Sequence, residues 1–464
     1  MEIQVEELGV LKKTEFELGE LTLICGGNNT GKTYATYALF GFLSHWRRFL
    51  KAGVPDSNIQ ELLRHGVTHL DVESYAKEAE HILRRGCEEF TRHLPRIFAS
   101  KPGRFNDTKF QVSLEPENTS SIRDRAFERK ARSAEGDLIS VSKAGGGSEV
   151  VVSLLMEKQR SVLPASMIKE VISDGIVELL FDPFFPQPFI ASTERTGAAI
   201  FRKELDFARN RLLKDMNLAD RDSDPRELMS RSYQDYPLPV NDNVDFIRQL
   251  EDVAKRNSYL VENHPHILDD FADIIGGEYI AGSNDTIYFR PARKQIKLTM
   301  DESSSAVRSL LDIGFYLRHV AKPGDLLMVD EPELNLHPEN QRRIARLFAR
   351  LVNLGIRVFV TTHSDYIVKE LNTLIMLNQD KPYLKQIAHD EGYQSEELLT
   401  AEKIRVYIAE TALMHLVGKR RRSRHPTLVP ANIHPELGIE APCFDETINK
   451  MNEIQDAIVW GGDE

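Results

Sequence analysis

Polar and apolar positions alternate at the start of the chain. IQVEEL (3–8) and TEFEL (14–18) have the two-residue period of half-buried strands, and LTLIC (21–25) is a short apolar run suited to a buried strand. A glycine-containing turn follows, and then Tyr34, Tyr37, Ala38, Gly41 and Phe42 recur at helical spacing, which predicts strand, turn, helix. Residues 44–100 read as helical and charged, TKFQVSLEP (108–116) as an exposed strand, and the polar stretch 117–150, ending in AGGGS, as a surface loop or linker with a turn at Gly145–Gly147. QPFIASTERTG (187–197) reads as a core strand running into a polar loop. Residues 198–275 read as mostly helical, broken at DRDSDPREL and DYPLPVNDN, and EYIAGSNDTIYFRP as a hairpin.

The last third is the most regular. DLLMVDE is an apolar strand ending in acids. PENQRRIARLFARL is a helix with Ile344, Leu347, Phe348 and Leu351 on one face, and IRVFVTTH is a second apolar strand. Strand, helix, strand in this order predicts a parallel βαβ unit with helices on both faces of the sheet. Residues 404–408 and 437–449 are expected to add one or two closing strands and a final helix.

Composition narrows the classes. The 464 residues are 41% hydrophobic and 28% charged, ordinary for a soluble protein, and no apolar run approaches the roughly 20 residues that span a bilayer. The acidic start MEIQVEELGV is unlike a signal peptide, so the chain is expected in the cytoplasm, with no membrane partner. Cys25, Cys87 and Cys443 lie far apart, which suggests neither a zinc site nor a disulfide framework. The net charge of −12 argues against coating nucleic acid with the whole surface, but leaves KRRRSRH (419–425) open as either a solvated loop or a phosphate-contacting patch.

The candidate chemistry begins in GGNNTGKT. Backbone N–H groups of Gly26, Gly27, Asn28, Asn29, Thr30 and Gly31 are expected to face a phosphate, with Lys32 at the helix start and the Thr33 hydroxyl on a metal. Such a loop needs an acid at the end of a neighbouring apolar strand. LLMVDE supplies Asp330 to hold Mg²⁺ and Glu331 to take a proton from an attacking water. His363, at the end of VFVTTH, sits where open α/β sheets bind ligands and is read as a γ-phosphate contact. DESSSAVRSLL (301–311) puts three serines before a helix, as an N-cap and as hydroxyls and N–H groups for a phosphate.

This order of motifs resembles the ABC-type ATPase heads of the SMC and RecF kind and, more closely, the OLD-like AAA-family ATPases of bacterial anti-phage systems. The resemblance rests on GGNNTGKT, SSSAVRSLL as the signature helix, LLMVDEPELNLHP as Walker B running into the D-loop, and VFVTTHSD as the switch histidine. IASTERTG resembles the strand and loop at the Q-loop position. The implied fold is an α/β P-loop NTPase head with a mixed parallel sheet, antiparallel N-terminal strands and helical insertions. The implied domains are a head from 1–116 and 290–464, with a 44–100 insertion, and an intervening region, 117–289, holding a core strand near 187–193 and a helical insertion at 198–275.

The resemblance also implies ATP and Mg²⁺ as cofactors and a homodimer or higher homo-oligomer. Lys32, Thr33, Asp330, Glu331 and His363 would act in one copy, while Ser304, Ser305 and Arg308 reach across the interface. Asn335 and His337 would lie at the seam, and Glu194 and Arg195 would sense metal or phosphate. The chain departs from the usual Ser-Gly signature with Ser305-Ala306, and it has neither a long coiled coil nor an expected nuclease site. The function implied is an ATPase that regulates a separate effector, a nuclease or toxin, in defence. A DNA-binding repair ATPase of the RecF or SMC kind is the alternative, and an ATP-bound scaffold that barely turns over is a third reading.

Overall fold

The fold was obtained as a computed structural model, which describes residues 1–114, 122–133, 136–155, 164–201, 236–282, 286–414, 422–440 and 442–460. The chain forms two compact units. The first comprises Met1–Gln4, Phe42–Leu94 and Asn106–Pro186, and the second Val5–Gly41, Pro95–Phe105 and Gln187–Glu464.

Three strands open the chain: β1 (Glu2–Leu8), β2 (Leu11–Glu17) and β3 (Leu21–Gly26). β1 and β2 are sheet neighbours joined by only two residues, which makes them an antiparallel hairpin. The first unit then contributes β4 (Val67–Asp71), β5 (Lys109–Ser113), β6 (Phe127–Ser133), β7 (Gly136–Lys143) and β8 (Glu149–Leu154). Four of these form an antiparallel sheet in the order β4-β8-β7-β6.

That sheet corrects several expectations. The described residues of 117–150 form β6, β7 and the start of β8 and not a single loop. FERKARS carries too few apolar residues to show a strand period, and becomes edge strand β6 only because β7 pairs with it. The AGGGS turn at Gly145–Gly147 does form, joining β7 to β8. The helical stretch 44–100 is interrupted by β4, too short to stand out between the helices Asp56–His65 and Val72–Ile97. β5 is not wholly exposed, since Phe110 and Val112 on one of its faces are buried.

The second unit is built on a six-stranded sheet. Beside β3 it uses β9 (Pro188–Ala191), and a small antiparallel sheet follows from β10 (Gly277–Ala281), β11 (Ile287–Pro291) and β12 (Leu298–Thr299). Then come β13 (Leu326–Asp330), β14 (Arg357–Thr362), β15 (Ile404–Met414), β16 (Ser423–Pro430), β17 (Ile433–His434) and β18 (Gly438–Ile439). The main sheet runs β16-β15-β3-β14-β13-β9, parallel from β15 through β9, with β16 antiparallel at one edge. This is a mixed α/β fold with a mixed parallel sheet, antiparallel strands and multiple helices.

Both faces of the parallel strands are covered, which is why they read as unbroken apolar runs: every residue of β3 and β13 is buried. The helix Pro338–Asn353 lays Ile344, Leu347, Phe348 and Leu351 into this core, each side chain contributing about 1.5–3 kcal/mol by burial. DYPLPVNDN proves less of a break than expected. Pro237 and Pro239 fall at the start of the helix Leu238–Arg248, where the missing N–H of a proline costs no hydrogen bond. DRDSDPREL lies outside the described residues. Within KRRRSRH the run 419–421 also lies outside them, while Ser423–His425 belong to β16 and so are not loop. The closing region holds β18 and the helix Pro442–Trp460. Among the described residues no helix is long and apolar enough to cross a membrane.

Candidate functional site

The parallel register aligns three strand ends. Asp330 on β13 pairs with Thr361 on β14, and Thr361 and Thr362 pair with Ile24 and Cys25 on β3. Side chains from far-apart parts of the sequence therefore meet at one sheet edge, the C-terminal edge where open α/β sheets bind ligands.

β3 runs into the GGNNTGKT loop at Gly26. Its φ is +140°, and a Cβ there would lie 2.5 Å from the Ala409 carbonyl oxygen on β15. Gly31, at φ +101°, would drive a Cβ to 2.6 Å from Leu11. Both positions thus require glycine, for conformation and for space. Gly27, Asn28 and Asn29 are exposed, Asn29 at φ +61°, and the Thr30 hydroxyl folds back onto the Gly27 carbonyl at 2.9 Å. Lys32 and Thr33 begin the helix Lys32–Phe49, Thr33 with an exposed side chain.

Lys32 is buried over the loop. Its Nζ donates to the Gly26 and Gly27 carbonyls at 3.1 and 2.8 Å and lies 3.0 Å from His363 Nε2. The same imidazole nitrogen is 3.2 Å from Glu331 Oε1. Burial lowers the lysine's pKa, and the carboxylates of Glu331, Asp330 and Glu333 act against that. Lys32, His363 and Glu331, from three chain segments, thus form one polar cluster.

Asp330 is 1% exposed. Its Oδ1 accepts a hydrogen bond from the Thr361 hydroxyl, whereas Oδ2 is buried with no hydrogen-bond partner among the described residues. Burial pushes this carboxyl up to about 6, Thr361 opposing and Glu331 reinforcing the shift. An orphaned carboxylate oxygen is costly in a protein interior and is what a hydrated cation would satisfy. The unpartnered Asp330 oxygen therefore fits a hydrated cation such as Mg²⁺. Glu331 has φ +52°, a left-handed conformation that strains a residue with a Cβ, and its N–H donates to the Thr361 carbonyl at 3.0 Å.

The segment expected to be the signature exposes Ser304 and Ser305 while Ser303, Val307 and Ser309 are buried. Ser304 caps the helix Ser305–Ser309 by accepting from the Val307 N–H at 3.3 Å, and both Ser304 and Ser305 are exposed. Arg308 is tied to its own turn, donating to the carbonyls of Met300, Asp301 and Ser303 and to the Ser305 hydroxyl. Asn335 is exposed at φ +61°, and His337 caps the helix Pro338–Asn353. Glu194 is exposed and accepts from the Tyr37 and Thr193 hydroxyls. Arg195, expected to sense metal or phosphate, is instead 1% exposed and donates to four backbone carbonyls, those of Ser192, Ser309, Asp330 and Glu331.

Glu333 carries a role that the sequence does not display. Its carboxylate accepts from the Thr362 hydroxyl at 2.9 Å and the His363 N–H at 2.6 Å, which fixes the switch turn to the loop after β13. Burial raises its pKa, and these hydrogen bonds oppose the rise. The only signal is an acid three residues beyond Asp330, and that does not reveal its partner.

Residues 188–369 match the family model described as "AAA domain, putative AbiEii toxin, Type IV TA system". The chain is 30% identical over 142 residues to the "Energy-coupling factor transporter ATP-binding protein EcfA3" of Oenococcus oeni. That match covers 29% of this chain and 49% of the relative, so the chain spans about half the relative's length. Among solved structures, the SMC head bound to the C-winged helix domain of ScpA aligns at 11% identity and TM-score 0.31, covering 92% of this chain and 97% of that one. The SMC head domain from Thermotoga maritima aligns at 10% identity and TM-score 0.29, covering 93% and 98%. At such scores these likenesses are loose, and the fold rests on the strand order above. The family match includes β13 and β14, the strands that end in Asp330 and Thr362. By sequence, then, residues 188–369 are similar to an AAA-domain family, and a 142-residue stretch is similar to a transporter ATP-binding protein.

Proposed function

We propose that this protein binds and hydrolyses ATP with Mg²⁺, dimerises around ATP, and through that dimer regulates a separate effector, a nuclease or toxin, in anti-phage defence. The observation that carries the reading is the run of contacts at the mouth of the phosphate loop, from Lys32 to His363 at 3.0 Å and from His363 to Glu331 at 3.2 Å. The toxin–antitoxin wording of the matched family supports the effector part.

In this reading the loop N–H groups and Lys32 bind the triphosphate and neutralise its charge, the larger share of catalysis in phosphoryl transfer. Asp330 and Thr33 hold the metal, which when bound supplies further charge neutralisation. Water attacks the γ-phosphorus, its proton passes to Glu331, and the bond to the β-phosphate oxygen breaks to leave ADP and phosphate. His363, pinned by Glu333 through its N–H, orients Glu331 and contacts the γ-phosphate. Ser304 and Ser305 of a second copy complete the pocket, which accounts for hydroxyls exposed on a helix end.

The test is ATP turnover, binding and self-association of the purified chain. Lys32→Ala should bind no ATP. Glu331→Gln should bind ATP, hydrolyse it slowly and accumulate as a dimer. Unchanged hydrolysis in both variants would refute the site. ATP-strengthened, salt-sensitive DNA binding would favour the repair reading over effector control.

A further inference from the structure

Arg195 sits at the meeting of three segments. Nε donates to the Ser309 carbonyl at 2.7 Å, one terminal nitrogen to Ser192 at 2.8 Å and Asp330 at 2.6 Å, and the other to Glu331 at 2.7 Å. Those carbonyls belong to the end of β9, the last residue of the signature helix Ser305–Ser309, and the end of β13. These partners are all backbone atoms, and they engage four of the five N–H groups of the guanidinium.

A guanidinium is planar and holds its N–H groups in a fixed fork, so carbonyls bound to it keep their mutual positions. Ser192 is held from its other side as well, its N–H donating to Asn243 Oδ1 at 2.7 Å. The Ser309 hydroxyl lies 3.1 Å from the Leu334 carbonyl, which ties the same helix end to the loop after Glu331. The signature helix is five residues long, so a shift at Ser309 displaces Ser304 and Ser305 at its other end.

We propose that Arg195 is a positioning residue, a strut that couples the backbone of Asp330 and Glu331 to the signature helix and so sets how Ser304 and Ser305 are presented to ATP bound by a second copy. The strut links two half-sites. Glu331 serves the nucleotide bound in its own chain, and the serines serve the one bound opposite. A change at one site therefore moves the other within a single subunit. This inference rests on the proposed ATP-dependent dimer and adds the residue that transmits between its sites.

The experiment compares full-length wild type with Arg195→Lys, which keeps the charge but loses the planar fork. Three quantities are read: the affinity for a fluorescent ATP analogue, turnover at saturating ATP, and ATP-driven dimerisation by light scattering in a Glu331→Gln background. Cooperative melting establishes that the variant folds. The expected result is unchanged analogue binding with turnover reduced about 100-fold, the loss that a small misplacement of catalytic groups produces, and no ATP-driven dimer. A residue needed only for packing would lower the melting temperature and leave the binding-to-turnover ratio alone.

Should Arg195→Lys fail to fold, Arg195→Gln carries the test. Its amide has two N–H groups for the four carbonyls, which breaks the link between Ser309 and Glu331, and it should weaken dimerisation without weakening binding. Wild-type protein that binds and dimerises, with variants that match it in turnover and association, overturns the strut alone. Wild-type protein that binds no ATP overturns the proposed function as well.

Discussion

The two sheets of this protein bury their residues differently. In the second unit the parallel strands are covered on both faces, so consecutive residues such as Val358, Phe359 and Val360 are all buried. In the first unit β8 alternates: Val150 and Val152 are buried while Val151 between them is half-buried. The difference teaches where chemistry can be built. Parallel strands end together at one edge, so their loops converge, whereas antiparallel neighbours send successive loops to opposite ends. The candidate site lies on the parallel sheet, and the second unit also holds acids raised above their ordinary range by burial, including Asp312, Asp325 and Asp330.

The sharpest separation of the two sheets is kinetic. Glu331→Gln at the end of β13 should reduce ATP turnover by about 10²–10⁴-fold, the usual worth of a general base, with little change in melting temperature. Substitutions in β8 should move melting and leave turnover per folded molecule intact. Equal effects of both on turnover would break the comparison.

Next in size is a stability scan. Phe359→Ala should cost about 3–5 kcal/mol, and its neighbours Val358 and Val360 should each prove costly in denaturant unfolding. Along β8 the cost should alternate, with Val151→Ala under about 1 kcal/mol and Val150→Ala and Val152→Ala well above it. A flat profile in β8 would show that both of its faces are covered.

A smaller effect is expected with pH. Asp325 is buried and pushed up to about 6, chiefly by desolvation, with the Lys322 N–H and the Tyr316 hydroxyl near its Oδ2. Between the ordinary aspartate value and about 6 the folded protein keeps a proton that the unfolded chain has lost, so stability falls as pH rises through that window. Asp325→Asn should flatten that slope by an amount of order 1–3 kcal/mol, measured as unfolding free energy against pH. A steeper slope in the variant would reverse the assignment.

The smallest change belongs to the turn after β7. Gly146 has φ +75°, and a Cβ added there would meet nothing within 4 Å, so Gly146→Ala should cost only about 1 kcal/mol of conformational strain in a melting experiment.

Much of the second unit was legible because its signals are local. The phosphate-loop glycines, the apolar runs ending at Asp330 and Thr362, and the Ser304 cap are each set by neighbours within a few residues, where periodicity and turn chemistry act. The first unit was harder to read for the same reason. FERKARS has no apolar period of its own, and β4 is five residues between two helices, so both became strands only through their pairing partners. The identity of the candidate groups at the site, Lys32, Asp330, Glu331 and His363, was written in the sequence, because the residue types suited to phosphate and metal are few. Glu333 as the clamp on His363 and Arg195 as a buried hub of four carbonyls were decided by the tertiary structure alone. A backbone carbonyl is the same in every residue, and only strand register and packing determine which side chain reaches it.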